Sequence, residues 1–336
     1  MTLKVVTGGL QTTVQDLGRV GHQAQGVPVG GAMDRVALRL GNLLVGNDEG
    51  AAALETTLIG PAITFENGTG TLIALTGADL EPSIDGIDVP MWHPLWVEHG
   101  STLRFAHAKT GCRTYIAVAG GIDVLPVFES RSTYLRAKFG GVDGRALKSG
   151  DVLHTGDVAH ASKRIADELH ASGGRRVVIA RWSLGSALRP PYGDDVVVRV
   201  VRGAHLDSLS DGAVLFGSTF RISSSSDRMG YRLEGPTLAL REPGELLSEG
   251  TTFGTVQLPP GGAPIILMAD AQTTGGYPRV AEVASIDLPL VAQLKPGDRV
   301  RFRLISLDEA QSLYFAREQE IAEARAAIGL RYRRGP

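Results

Sequence analysis

Short apolar segments separated by turn residues recur along this chain and constrain its fold more than any other feature. In the first half they occupy 58–65, 71–76, 96–98, 102–105 and 113–119. Segments of this length, bounded by glycine, proline and polar residues, are typical of β-strands. The second half continues the rhythm at 196–201, 217–222, 237–240, 254–258, 264–268 and 299–305. The chain is therefore predicted to be mainly β, and its 43 glycines suit tight turns between short strands.

The length of the chain favours two domains. At 336 residues it exceeds the usual size of a single hydrophobic core. Two consecutive prolines interrupt the segment 183–195, which is interpreted as a linker. We predict an N-terminal domain over 1–185 and a C-terminal domain over 192–305.

Two helices are predicted among the strands. One begins near Asp34 and ends at Gly46, because apolar residues recur between them at helical spacing. The other covers 306–330, where Ser306 and Glu309 form a capping-box pair before a second helical pattern. The chain is thus expected to end in a long helix.

Three fragments of the first half have counterparts in the same order in the second half. LIGPAITF (58–65) resembles LEGPTLAL (233–240), IALTGADL (73–80) resembles IILMADAQ (265–272), and EHGSTLRF (98–105) resembles KPGDRVRF (295–302). The simplest interpretation is duplication of one β-rich unit, with each copy closing a small barrel that leaves no long edge strand exposed. Chance similarity between glycine-containing turns is the alternative. Duplication would make Asp79 and Asp270 equivalent residues at strand ends.

Composition and motifs exclude several classes of function. The net charge is −2, and the 21% of charged residues are interspersed in sign, which gives no basis for binding nucleic acid or an anionic membrane. No apolar run approaches the roughly 18 residues that span a bilayer, and the start lacks the apolar core of a signal peptide, so a cytoplasmic protein is expected. Motifs for a phosphate-binding loop, a serine nucleophile and a metal site are missing. A small molecule or another protein is the expected partner.

The stretch MADAQTTGGYPR (268–279) follows an apolar run that is typical of a buried strand. It places Asp270, Gln272, Thr273 and Tyr277 where two glycines and a proline turn the chain. Loops at rigid strand ends are common binding sites, because glycine lets a ligand approach the main chain. These residues are therefore candidate ligand contacts. A plain surface turn is the alternative.

Further polar residues are candidates for binding. They are Gln11, Thr12, Asp16 and Arg19 near the N-terminus, then Arg131, Ser132 and Thr133, and finally Arg228 and Gln257. A guanidinium beside two hydroxyl groups, as at 131–133, suits a planar carboxylate or phosphate. The alternatives are a structural salt bridge for Arg131 and an exposed loop for Arg228.

Several segments together resemble a known family. They are QTTVQDLGR (11–19), GVPVGGAMD (26–34), NLLVGN (42–47), AGGIDV (119–124), SRSTYL (130–135), RMGYRLEGP (228–236), SEGTTFGTVQLP (248–259) and QTTGGYPR (272–279). In this order they resemble the family called allophanate hydrolase subunit 2, biotin-dependent carboxyltransferase-like, or the 5-oxoprolinase C component. The resemblance implies two cyclophilin-like β-barrel domains with a few short helices and a C-terminal helix.

The resemblance also implies a complex with a sister subunit, of the allophanate hydrolase subunit 1 or 5-oxoprolinase B type, and with a third, lactam-handling subunit. Such a complex opens 5-oxoproline to glutamate at the expense of ATP. Under this hypothesis Asp79 and Asp270 are acid/base or positioning carboxylates, and Arg131 or Arg228 stabilises developing negative charge. Two alternatives stay open. One is carboxyl transfer from carboxybiotin to urea or a related amide, and the other is non-catalytic regulation of the sister subunit.

The sequence departs from the family pattern at three positions. Glu129 precedes SRST where the family usually has glycine, and Ala271 precedes QTTGGYP where it usually has arginine. Gly30 stands where serine is frequent.

Overall fold

The computed structural model describes residues 1–66, 68–171, 176–242 and 246–333. The chain forms two compact units. The first contains Met1–Gly18, Asp34–Pro190 and the chain from Gln319 onwards, and the second contains Arg19–Met33 and Pro191–Glu318. The sequence predicts one division near 185–192, whereas in the structure the chain also enters the second unit early, at 19–33.

The first unit is built from short strands and two helices. The strands are β1 Thr2–Thr7, β2 Gln11–Gln15, β3 Ala53–Thr57, β4 Ala62–Glu66, β5 Gly70–Asp79, β6 Ser83–Ile84, β7 Ile87–Asp88, β8 Pro94–Glu98, β9 Thr102–Arg104, β10 Thr110–Val118, β11 Ile122–Asp123, β12 Val152–Thr155 and β13 Val177–Ile179. One sheet has the order β11-β12-β1-β4-β9-β6-β7 and the other β13-β8-β5-β10-β3-β2. Leu3 and Phe65 from one sheet and Leu75 and Ile116 from the other lie in one buried apolar cluster, so the two sheets share a core.

Helix α1 Arg35–Leu44 forms where the sequence predicts it. Asp34 caps its N-terminus, because its Oδ1 accepts a hydrogen bond from the backbone N–H of Ala37 at 2.9 Å. The helix is followed by Gly46 in a left-handed conformation, with φ of 72°. Helix α2 His160–His170 and two single-turn 3₁₀ helices, Gln23–Gln25 in the second unit and Ser186–Leu188 in the first, complete the elements up to residue 190.

The second unit is a closed barrel. Its strands are β14 Asp195–Arg202, β15 Phe220–Ile222, β16 Gly230–Glu234, β18 Thr255–Gln257, β19 Ile265–Leu267, β21 Arg279–Val283 and β22 Arg299–Leu304, and a separate ribbon pairs β17 Glu249–Gly250 with β20 Thr274–Gly275. The barrel order is β14-β21-β18-β19-β16-β15-β22, and it closes through the parallel pair β14 and β22. The mainly β prediction is confirmed.

Short helices decorate this barrel. They are α3 Ala213–Gly217 and α4 Leu288–Ala292, with 3₁₀ turns at Leu206–Ser208 and Ser285–Asp287. The predicted terminal helix is confirmed as α5 Leu307–Arg333. The predicted strand at 237–240 is wrong, because this segment makes only the isolated bridge between Leu209 and Leu240. The echo between the two halves therefore coincides with strands in both copies for the fragments that contain β5 and β19 and those that contain β9 and β22.

The segment Arg19–Met33 is held in the second unit by its own contacts. Met33 is fully buried in the core cluster of the barrel, and the backbone N–H of Gly30 donates to the carbonyl of Ala269 at 3.1 Å. The backbone N–H of Arg19 donates to the carbonyl of Val29 at 2.7 Å, which closes the segment into a loop. This loop brings GVPVGG to the end of strand β19.

Candidate functional site

Asp16 lies at the centre of a buried polar cluster in the first unit. Its Oδ1 accepts hydrogen bonds from the hydroxyls of Ser130 at 2.7 Å and Ser132 at 2.5 Å, and from the backbone N–H of Gly18 at 2.8 Å. Its Oδ2 accepts from the backbone N–H of Arg131 at 2.6 Å. Since four donors occupy the carboxylate, Asp16 ties the segment after β2 to the SRST turn.

The neighbouring candidates reinforce this tie. The backbone N–H and the hydroxyl of Thr133 both donate to the carbonyl of Val14, at 2.9 Å and 3.1 Å. The side-chain amide of Gln15 donates in turn to the carbonyl of Thr133 at 3.2 Å. Thr12 is buried on β2 and donates to the hydroxyl of Thr56 at 3.0 Å. These contacts give Thr12 and Thr133 structural roles in the described part of the unit.

The other first-unit candidates lie apart from Asp16. The side chain of Arg131 is 44% exposed and lies 3.8 Å from Asp123, beside a cavity of about 210 Å³. Asp79 ends β5, and its Oδ1 accepts from the backbone N–H of Glu81 at 2.9 Å in a tight turn. Gln11 begins β2 and is half-buried. The structure therefore brings Asp16, Ser132 and Thr133 together but leaves Asp79 elsewhere in the unit.

A buried ion pair joins Arg228 and Asp270 in the second unit. The guanidinium Nε donates to Oδ2 at 2.8 Å and Nη2 donates to Oδ1 at 3.0 Å, which makes the pair bidentate. Both side chains are about 95% buried. Nη2 also donates to the carbonyl of Gly31 at 2.6 Å, so the pair locks the GVPVGG loop to the strand end.

Arg19 completes this cluster. It is 1% exposed, and a β-carbon at residue 30 would lie 2.9 Å from its Nη1 and 3.6 Å from Oδ1 of Asp270. Gly30 has a φ of +63°, so glycine is required for conformation as well as for space. The candidates Arg19, Arg228 and Asp270, which are far apart in sequence, thus converge around Gly30. A serine at this position, as the resemblance leads one to expect, would project into the cluster.

The QTTGGYPR loop follows the cluster directly. Thr251 anchors it, because its backbone N–H donates to the carbonyl of Thr273 at 2.9 Å and its hydroxyl donates to the carbonyl of Gln272 at 2.6 Å. The side chains of Gln272 and Thr273 are half-buried, whereas Tyr277 is 45% exposed. Ala271 is buried at the start of the loop, and Arg228 places a positive charge beside Asp270.

A second polar group lies on the adjacent strands β18 and β21, and most of it is missed at the sequence level. The hydroxyl of Thr255 donates to Oε2 of Glu282 at 2.7 Å, and burial raises the pKa of that carboxyl. Arg279 contacts Glu249 at 2.6 Å and Glu282 at 3.7 Å. Of this group only Gln257 was predicted. The final arginine of QTTGGYPR was the available signal for Arg279, whereas nothing local marks Glu282.

The backbone explains one departure from the family pattern. Glu129 has a φ of +56°, in the left-handed region that favours glycine. The glycine that usually precedes SRST therefore meets a conformational demand that this chain satisfies with an ordinary residue.

We expect Glu129→Gly to be more stable than Glu129→Ala by about 1 kcal/mol. A non-glycine residue in the left-handed region costs roughly 1–2 kcal/mol, and the greater unfolded-state entropy of glycine offsets part of this. Urea unfolding of the two variants measures the difference. At Glu320, exposed on helix α5, the order should reverse, because glycine is about 1 kcal/mol worse than alanine inside a helix. The same order at both positions would contradict the backbone argument.

Two structural absences hold within the described residues. No group of three or more His, Cys, Asp or Glu side chains there is arranged to hold a metal ion. None of the helices in the described ranges is both long and apolar enough to cross a membrane.

Comparison with known proteins follows the same residues. The family model described as "Carboxyltransferase domain, subdomain A and B" matches residues 25–304. The 5-oxoprolinase C component of Escherichia coli (strain K12), named as a subunit of that enzyme, is 42% identical over 308 residues, which cover 92% of this chain and 93% of that protein. The match therefore extends over nearly the full length of both chains.

Much larger enzymes contain a similar portion. Urea amidolyase from Saccharomyces cerevisiae is 31% identical over 99% of this chain, which spans only 18% of that protein. The crystal structure of the K. lactis urea amidolyase superposes with a TM-score of 0.85 at 30% identity, covering 96% of this chain and 20% of that one. This chain thus spans about a fifth of these enzymes.

Proposed function

This chain belongs to the carboxyltransferase domain family, subdomains A and B, and from that membership we propose that it is a subunit of an ATP-dependent 5-oxoprolinase. The observation that carries the proposal is the near full-length match to a protein named as the C component of 5-oxoprolinase. In the proposed reaction the complex opens the lactam 5-oxoproline to glutamate. The rest of the enzyme consists of a sister subunit, of the allophanate hydrolase subunit 1 or 5-oxoprolinase B type, and a third subunit.

The buried cluster of the second unit supplies groups that suit this reaction. Attack on a lactam carbonyl places negative charge on its oxygen, and preorganised cationic donors stabilise such charge. Arg19 and Arg228 are held at the end of β19 for that role in our proposal. Both oxygens of Asp270 bind Arg228, so we assign Asp270 to positioning and not to proton transfer.

The described residues of this chain do not fit a triphosphate. The sequence has no phosphate-binding loop, and the guanidinium of Arg228 is already engaged by Asp270. We therefore place the ATP site on a partner subunit. The contribution of this chain is to bind and orient the amide substrate.

Carboxyl transfer is the second candidate, and the likeness to urea amidolyase favours it. In that reaction carboxybiotin would donate its carboxyl group to urea or a related amide, and the biotin would be held by a carrier outside this chain. Both candidates require an amide site, so the substrate and the co-substrate distinguish them.

One assay separates the candidates. The chain is co-purified with its sister and third subunits, and loss of 5-oxoproline is followed with ATP, in parallel with loss of urea in the presence of carboxybiotin. We expect ATP-dependent loss of 5-oxoproline only. Activity only on urea with carboxybiotin would replace the first proposal by the second. Tight binding of the sister subunit without either activity would indicate a regulatory partner.

A further inference from the structure

Two buried N–H groups on facing strands of the barrel have no partner in the described structure. Nε2 of Gln257 and Nε of Arg279 make no hydrogen bond to any residue within the described ranges. Gln257 is 1% exposed, and it stands opposite Arg279 in the register of β18 and β21. Directly opposed residues point to the same face of a sheet. Both donors therefore lie on the face turned away from Val256 and Ala281, which belong to the core.

Unsatisfied buried donors are rare in native proteins because desolvating them without a partner is costly. A ligand with an acceptor group removes that cost. The glycine of the overlying ribbon β20 keeps room for Nε2, since a β-carbon at Gly275 would lie 2.6 Å from it. Access is open beside Gln257, because the side chains of Arg279 and Glu282 are each about one-quarter exposed.

The charges around the two donors select the kind of ligand. Arg279 carries the positive charge, but it contacts the carboxylates of Glu249 and Glu282. An anion would be repelled by the two carboxylates, whereas an uncharged carbonyl would accept from both donors without this penalty. Glu282 can in turn accept a hydrogen bond from a ligand N–H on the same face.

We propose that Gln257, Arg279 and Glu282 form a recognition site for an uncharged amide group whose C=O and N–H lie on the same edge, as in a lactam or a primary amide. The carbonyl accepts from Nε2 of Gln257 and Nε of Arg279, and the N–H donates to Glu282. This assignment deepens the proposed function, on which it rests only for the identity of the natural substrate. It makes Gln257 and Arg279 specificity-determining residues.

Ligand-observed NMR on the full chain tests the site with 2-pyrrolidinone as the probe. We expect binding that weakens about tenfold or more in Gln257→Met and in Arg279→Lys, since each loses a hydrogen bond to the carbonyl. N-methyl-2-pyrrolidinone, which lacks the N–H, should also bind about tenfold more weakly. Arg301→Lys is the matched control, because Arg301 lies on β22 of the same barrel and pairs with Asp195. It should bind the probe like the wild type.

Thermal unfolding separates recognition from a structural role. Gln257→Met removes a donor without a described partner, so its Tm should equal or exceed that of the wild type. A lower Tm with unchanged binding of 2-pyrrolidinone would overturn the proposal, and so would equal binding of the N-methylated probe.

The two proposals fail in different ways. A wild-type complex that does not consume 5-oxoproline, although this chain binds 2-pyrrolidinone through Gln257, refutes the proposed function and supports the site. A complex with Gln257→Met that turns over 5-oxoproline with unchanged KM refutes the site and supports the function.

Discussion

Replacing Arg228 with methionine is expected to lower the free energy of unfolding by about 3–5 kcal/mol, because it removes the bidentate partner of a buried carboxylate. Asp270 is 3% exposed, and Arg228 donates to its two oxygens at 2.8 Å and 3.0 Å. The substitution also releases the carbonyl of Gly31, to which Arg228 donates. Urea unfolding followed by far-UV circular dichroism measures the loss.

Two further variants make this prediction specific. Arg232→Met, at an exposed position on the same strand β16, should change stability by less than about 0.5 kcal/mol. The double variant Arg228→Met/Asp270→Met should lose less than Arg228→Met alone, because it also removes the buried negative charge. A double variant that is no more stable than Arg228→Met would show that the buried carboxylate is not the cause.

Asp16→Ala should cost about 3 kcal/mol, because several buried donors then lose their acceptor and each such loss costs roughly 1–3 kcal/mol. The affected groups are the hydroxyls of Ser130 and Ser132 and the backbone N–H groups of Gly18 and Arg131. All three tryptophans of the chain lie in the first unit, so their fluorescence reports this transition.

Asp123→Ala is the control for Asp16. The side chain of Asp123 is 57% exposed and contacts Arg131 only at 3.8 Å, so its loss should matter by less than about 0.5 kcal/mol. Equal effects at the two positions would mean that the four hydrogen bonds of Asp16 do not stabilise the unit. The prediction concerns stability, and it would also explain a loss of activity in this variant without a catalytic role.

Local patterns in the sequence were sufficient for the class of fold. The alternation and turn residues of strands such as β5 and β22, and the capping of α1 by Asp34, act over a few neighbouring residues. The segment 237–240 shows the limit of such patterns. It has the composition of a strand, but only Leu240 pairs, and it does so with Leu209 through one bridge.

The candidate site depended on contacts that no local pattern contains. Arg19, Arg228 and Asp270 were each predicted from residue type, but their convergence requires the loop 19–33 to enter the second unit. Arg279 and Glu282 were missed for a related reason. Their position opposite Gln257 and Thr255 depends on the register of β18 and β21, which shifts at an irregularity between Val256 and Gln257.

Glutamate formation by the reconstituted complex, measured with and without this chain, tests the central claim most directly. The sister and third subunits are held at constant concentration with 5-oxoproline and ATP, and this chain is added at increasing ratios. The account predicts that glutamate forms only when the chain is present and that the rate saturates as the complex fills. The same rate in its absence would contradict the claim that it is a subunit of the enzyme.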